Sequence, residues 1–97
     1  MRPAFHRDAE RELADAAQWY DDQLPGLGDR FVAAVESATA LIARHPVLFP
    51  IIPGTGDARR VLVDRFPYQV VYRMTQGEFT IIAIAHVRRR TLYWRKR

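Results

Sequence analysis

The residues best suited to chemistry gather late in the chain. His86, Arg88 and Arg89 follow one another at the close of an apolar run, and Tyr93 and Trp94 stand a few positions further on. Arg65, Tyr68 and Tyr72 come from earlier segments that would lie beside them. A histidine, arginines and a tyrosine make a sensible kit for cleaving RNA without a metal. Such a reaction needs a base for the 2′-hydroxyl, a donor to the leaving oxygen and positive charge on the phosphorane. Aromatic rings beside arginines also form a stacking platform for bases, and the arginines equally suit an acidic protein. Plainer roles are open too: His86 as a strand-end histidine making one hydrogen bond, and Tyr93-Trp94 as a lid that docks the C-terminal segment.

Other chemistries find little support. Ser37 is the only serine and lies mid-helix without a nearby histidine or acid, so a serine triad is not expected. His6, His45 and His86 are far apart and show no metal-ligand spacing. Gly26-Leu27-Gly28 and Gly54-Thr55-Gly56 fit no dinucleotide or phosphate loop. No metal and no cofactor are therefore expected. The chain has no cysteine, which fits a reducing, cytoplasmic setting. No apolar run approaches the roughly 18–20 residues of a membrane helix, so no membrane role is expected.

Charge divides the chain. Residues 1–57 hold five arginines against nine acids, whereas residues 58–97 hold ten basic residues against Asp64 and Glu78. Six of the last ten residues are basic, which suits either a polyanion or an acidic protein partner, or serves simply as a solvated tail.

The elements that must position these side chains follow from periodicity. With 97 residues, a single domain over residues 1–97 is expected. Pro3 to His6 reads as a short strand. From Asp8, the spacing of Ala9, Leu13, Ala16 and Tyr20 predicts a helix that stops at Gln23-Leu24-Pro25-Gly26. Leu27, Phe31, Ala34, Val35, Ala38, Leu41 and Ile42 form the stripe of a second helix ending at His45-Pro46. The short break makes the two an antiparallel hairpin, with alanines (Ala9, Ala16, Ala17, Ala33, Ala34, Ala38) along the seam. Pro46 to Asp57 reads as an irregular loop. Arg60–Asp64, Tyr68–Met74 and Phe79–Val87 then predict an antiparallel meander. The last strand is apolar on both sides, Phe79, Ile81, Ala83, Ala85 and Val87 against Ile82 and Ile84. One hairpin covers one face, so the other needs the C-terminal segment, a second copy or a different protein. The pattern is read as the mark of an obligate partner, the alternative being that the long loop folds over the sheet.

Four motifs in order resemble the RelE/ParE toxin superfamily: Trp19-Tyr20; Pro25 to Phe31; Arg65-Phe66-Pro67-Tyr68-Gln69-Val70-Val71-Tyr72; and Ala85-His86-Val87-Arg88-Arg89 with Tyr93-Trp94. The resemblance implies an α+β fold, an N-terminal helical hairpin packed on a small antiparallel sheet of three to four strands, with a short C-terminal helix. It also implies the toxin half of a type II toxin–antitoxin pair, wrapped by a cognate antitoxin and reaching operator DNA only through it. In the RelE branch, which cleaves mRNA on the ribosome, a basic residue follows the strand-opening tyrosine. Here Tyr68 is followed by Gln69, and Leu62 and Asp64 also fall where those enzymes tend to be basic. The Phe-Pro-Tyr opening and the Ala-His…Arg-Arg…Tyr-Trp ending resemble the ParE branch, which poisons DNA gyrase by binding. The resemblance thus implies target-binding roles for Arg65, Arg88, Arg89, Trp94, Arg95 and Arg97. Should the chain be a ribonuclease, His86, Arg89 and Tyr93 would be the catalytic residues, with the ribosome and its mRNA as target. A third reading is an inactive toxin homologue that serves as an antitoxin-binding or operator-binding module.

Overall fold

The computed structural model describes residues 4–90 and 92–97. Its elements are β1 (Ala4–Phe5), α1 (Arg7–Gln23), α2 (Leu27–Arg44), β2 (Arg59–Leu62), β3 (Tyr68–Thr75) and β4 (Glu78–His86). The sheet order is β1-β4-β3-β2. The two helices and the β2-β3-β4 meander match the sequence expectation within a residue or two. Pro3, the first residue of the expected first strand, lies outside the described residues.

Local chemistry explains the hairpin. His6 caps α1 by accepting the Asp8 N–H on its ring nitrogen at 3.1 Å, and Asp8 and Glu10 sit in the first turn where the helix dipole favours anions. Between the helices, Gly26 takes a left-handed φ of 90°, and the Asp21 carboxylate accepts N–H bonds from Gly26 (3.2 Å) and Gly28 (2.7 Å). A side chain at Gly28 would meet the Ala17 carbonyl at 2.4 Å, so only glycine lets α2 start this close to α1. Ala9, Ala16 and Ala38 are buried as expected. Ala33 and Leu41 instead face outward.

The sheet departs from expectation in two ways. It is mixed, because β1 pairs parallel to β4 (Ala4 with Thr80, Phe5 with Ile81). Its direction is set by the chain running straight on into α1, which crosses the sheet. Alternation along β4 is also broken. Val71 pairs with Ala83 but Tyr72 with Ile81, leaving Ile82 as the extra residue of a bulge. Phe79, Ile81 and Ile84 therefore face the helices, while Ile82, Ala83 and Ala85 face away.

That second face is covered by the chain itself. Ile52, Ala58 and Trp94 close over Val71, Ile82, Ala83 and Ala85, with Leu92 and Tyr93 alongside. The loop folds back through the Ile51–Arg59 bridge and the 2.7 Å bond from Ile52 N–H to the Ala58 carbonyl. The alanines keep the face shallow enough to seat an indole. Of the covers left open by the sequence, the structure uses the C-terminal segment and the loop. The expectation of an obligate partner over this face is therefore corrected: Ala83 and Ala85 are buried by the chain's own loop and C-terminal segment. The expected C-terminal helix is absent among the described residues: Leu92 has a left-handed φ of 60°, and Leu92–Lys96 form tight turns closed by Arg95→Leu92 and Arg97→Trp94 backbone bonds, each 3.0 Å.

Candidate functional site

Three pieces of chain meet at one end of the sheet. His86 closes β4 opposite Tyr68, and the Val87 N–H donates to the Pro67 carbonyl at 2.9 Å, tying this end to the β2–β3 turn. An aromatic chain runs outward from the helices: Phe31 packs on Tyr68 at 4.9 Å, and Tyr68 packs edge-to-face on His86 at 5.1 Å. The His86 Nδ1 accepts the Arg88 N–H at 3.0 Å. In the neutral ring that bond leaves the proton on Nε2, which is then a donor.

In the β2–β3 turn Arg65 has a left-handed φ of 67° and its side chain is exposed, 3.8 Å from the equally exposed Asp64. With Tyr20, Arg30, Ala34 and Phe66 it lines a cleft of about 640 Å³ between α2 and the turn. A smaller crevice of about 100 Å³ lies on the opposite face, lined by Arg60, Gln69, His86, Arg89, Arg90 and Tyr93.

The arginines after β4 differ in their fates. Arg88 and Arg90 are exposed. Arg89 is more than half exposed, with its guanidinium 4.0 Å from the Tyr93 ring centroid and 3.7 Å from a Glu12 oxygen. Arg95 is exposed and lends only its carbonyl, to Arg73 at 3.4 Å. Arg97 is folded in: its Nη1 and Nη2 donate to Glu12 at 2.7 and 3.1 Å, and Nη1 also reaches the Ile82 carbonyl at 3.1 Å. Trp94 is 2% exposed. The structure thus brings Arg65, Arg88 and Arg89 to the surface of one end, while Arg95, also exposed, lies further along the sheet beside Arg73. It removes Trp94 and Arg97 from the expected target-binding set, because the indole fills the second core and the guanidinium satisfies a buried carboxylate. Tyr93 is tied in as well. Its hydroxyl donates to Glu12 at 2.5 Å. Burial, then that bond and the anion's charge, push the hydroxyl well above the usual tyrosine range.

Two residues here are not among the expected site residues: by sequence Glu12 reads only as an acid near the start of α1 and Arg73 only as a strand residue. Glu12 accepts bonds from Tyr93, Arg97 and the Ile84 N–H (3.1 Å) beyond the end of β1. A signal existed: Glu12 follows Ala9 by three positions and precedes Ala16 by four, so it lies on the apolar stripe of α1. Arg73 bonds Asp57 (3.0 Å) and the Arg97 carbonyl (3.0 Å) from a strand position whose only mark was alternation. Among the described residues no group of His, Asp or Glu is gathered to hold a metal, and no helix is long and apolar enough to cross a membrane.

Comparison with known proteins agrees with this architecture. A solved structure described as the chromosomal ParDE TA system from P. aeruginosa superposes with a TM-score of 0.73 at 18% identity, covering 89% of this chain and 95% of that one, which shows a shared fold. No curated protein matches the chain. Residues 4–91 match the family described as ParE toxin of type II toxin-antitoxin system, parDE. That match spans nearly the whole chain, and the protein belongs to the ParE toxin family.

Proposed function

We propose that the chain acts as a cytoplasmic growth-inhibiting toxin that binds its target without cleaving it, that the target is DNA gyrase, and that a cognate antitoxin neutralises it. One observation carries the reading. At the His86 end the arginines stand open, while the groups that would move protons are tied into the fold. Arg88, Arg89 and Arg90 are exposed, whereas the His86 Nδ1 is occupied and the Tyr93 hydroxyl is bonded to Glu12. A base needs a free lone pair directed at the substrate, and a tyrosine whose proton is held this tightly is a poor acid. Open cations next to rigid aromatics are instead the makings of a protein-binding surface.

The antitoxin reading is supported by apolar side chains that the chain leaves uncovered: Val47 and Leu48 are about 70% exposed and Leu62 is 67% exposed. The Val47–Phe49 segment is held rigid, with Arg59 bonding the carbonyls of Val47 (3.1 Å) and Phe49 (2.6 Å), and the Tyr72 hydroxyl bonding that of Pro46 (2.6 Å). A rigid apolar protrusion is suited to burial by a partner.

The test is biochemical. Purified protein should inhibit DNA supercoiling by gyrase and leave mRNA intact on translating ribosomes. Arg89→Ala should lose the inhibition, and His86→Ala should keep it. RNA cleavage that vanishes in His86→Ala would replace this reading with the ribonuclease one.

A further inference from the structure

We infer that Glu12, on the first helix and far in sequence from the arginine-rich end, is the positioning residue of that end and acts through Arg89. The inference rests on the target-binding reading above. Arg89 and Arg97 share one aromatic surface, their guanidinium carbons lying 4.0 and 5.1 Å from the Tyr93 ring centroid. Two cations on one ring repel each other unless an anion stands by them. Glu12 stands by both, its side chain only 13% exposed, whereas Asp8, 3.7 Å from Arg97 Nε, pairs with Arg97 and not with Arg89.

The carboxylate's hydrogen-bonding capacity is fully used. Oε1 accepts from the Ile84 N–H and from Arg97 Nη1, and Oε2 accepts from the Tyr93 hydroxyl and from Arg97 Nη2. Arg89, at 3.7 Å, therefore receives charge without a hydrogen bond. It is held by attraction to Glu12 and by stacking on Tyr93, which orients the guanidinium yet leaves most of its N–H groups free for another molecule. Arg97 is consumed by the same carboxylate. One anion thus sorts two arginines into an anchor and a presented group.

This arrangement makes charge, not shape, the critical property of Glu12. Glu12→Gln keeps the side chain's size but removes the anion that serves both arginines beside the Tyr93 ring; Arg97 keeps Asp8, and Arg89, the less anchored, should leave. Removing the second cation as well, in Glu12→Gln/Arg97→Gln, should let Arg89 return. A purely structural Glu12 would give the opposite order, since the double variant loses more bonds to the sheet edge than the single one.

The experiment follows the Arg89 Nε–Hε resonance of the full-length protein, which the Tyr93 ring current shifts, together with inhibition of purified DNA gyrase. In Glu12→Gln the resonance should move to the position of a free arginine and inhibition should weaken about tenfold, a coupling ordinary for residues in one network. In the double variant both should recover. An unmoved resonance in Glu12→Gln, or a double variant more displaced than the single, overturns the inference. Equal inhibition by wild type and Arg89→Ala also overturns it, because Glu12 would then have nothing to act through. If wild type leaves gyrase untouched, the gyrase reading falls, and the resonance of the single and double variants alone decides the role of Glu12.

Discussion

The two faces of the sheet are closed by different physics. On one, α2 brings Phe31, Val35 and Ile42 and α1 brings Ala9 into one core with Val70, Tyr72, Ile81 and Ile84, all 2% exposed or less. That face is held by apolar area, and its helices satisfy their own backbone groups. On the other, irregular chain lies over Val71, Ala83 and Ala85, with Trp94 as its one large buried side chain. Its turns satisfy only part of their own backbone, and side chains tie down the rest: Arg73 holds the carbonyls of Arg95 and Arg97, and Glu12 holds the Tyr93 hydroxyl and the Arg97 guanidinium. The first face should tolerate loss of a polar contact, and the second should not. The candidate site lies where the two meet.

The contrast can be broken from either side. The largest effect is expected from Phe31→Ala, which empties the helical core and should cost about 4 kcal/mol in denaturant unfolding, with all regions lost together. Glu12→Ala leaves the Arg97 guanidinium only Asp8, at 3.7 Å, as an anion and frees the Tyr93 hydroxyl, and should cost about 3 kcal/mol. Here hydrogen exchange should show Leu92–Arg97 opening while the amides of α2 stay protected. Tyr93→Phe keeps the ring under Arg89 and removes one bond to a charged acceptor, for about 2 kcal/mol by the same unfolding measurement.

Alkaline titration sharpens the comparison further. The folded protein binds the Tyr93 proton more tightly than the unfolded chain does, chiefly through burial and then through Glu12. Its stabilisation is therefore complete below about pH 10, the ordinary tyrosine value, and fades as pH rises through the elevated value of the folded state. Tyr20, Tyr68 and Tyr72 shift in the same direction by burial on the helical side. Tyr93→Phe should thus flatten the alkaline loss of stability measured from pH 9 to 11 without abolishing it.

Much of this was legible in the chain because it is local. The 3.6-residue spacing from Ala9 to Tyr20 and from Leu27 to Ile42, the glycines between them and the alternation of Tyr68–Met74 each reflect neighbours in sequence. What escaped is non-local. The bulge at Ile82 depends on how β3 and β4 pair, and it moves Ala83 and Ala85 to the face opposite the one their spacing assigned. The parallel pairing of β1 depends on where α1 lies. Glu12 and Arg97 are 85 positions apart, and nothing in either segment announces the other. The candidate site divides in the same way. Arg88 and Arg89 followed from their place after a strand, but Trp94 and Arg97 look the same in sequence whether they present outward or fold inward.

Growth after induction of the chain alone, with DNA breaks scored in the same cells, tests the central claim most directly. Wild type and His86→Ala should both arrest growth and accumulate gyrase-linked breaks, and Arg89→Ala should do neither. Arrest that persists in Arg89→Ala but disappears in His86→Ala, with cleaved mRNA and intact DNA, would contradict the account.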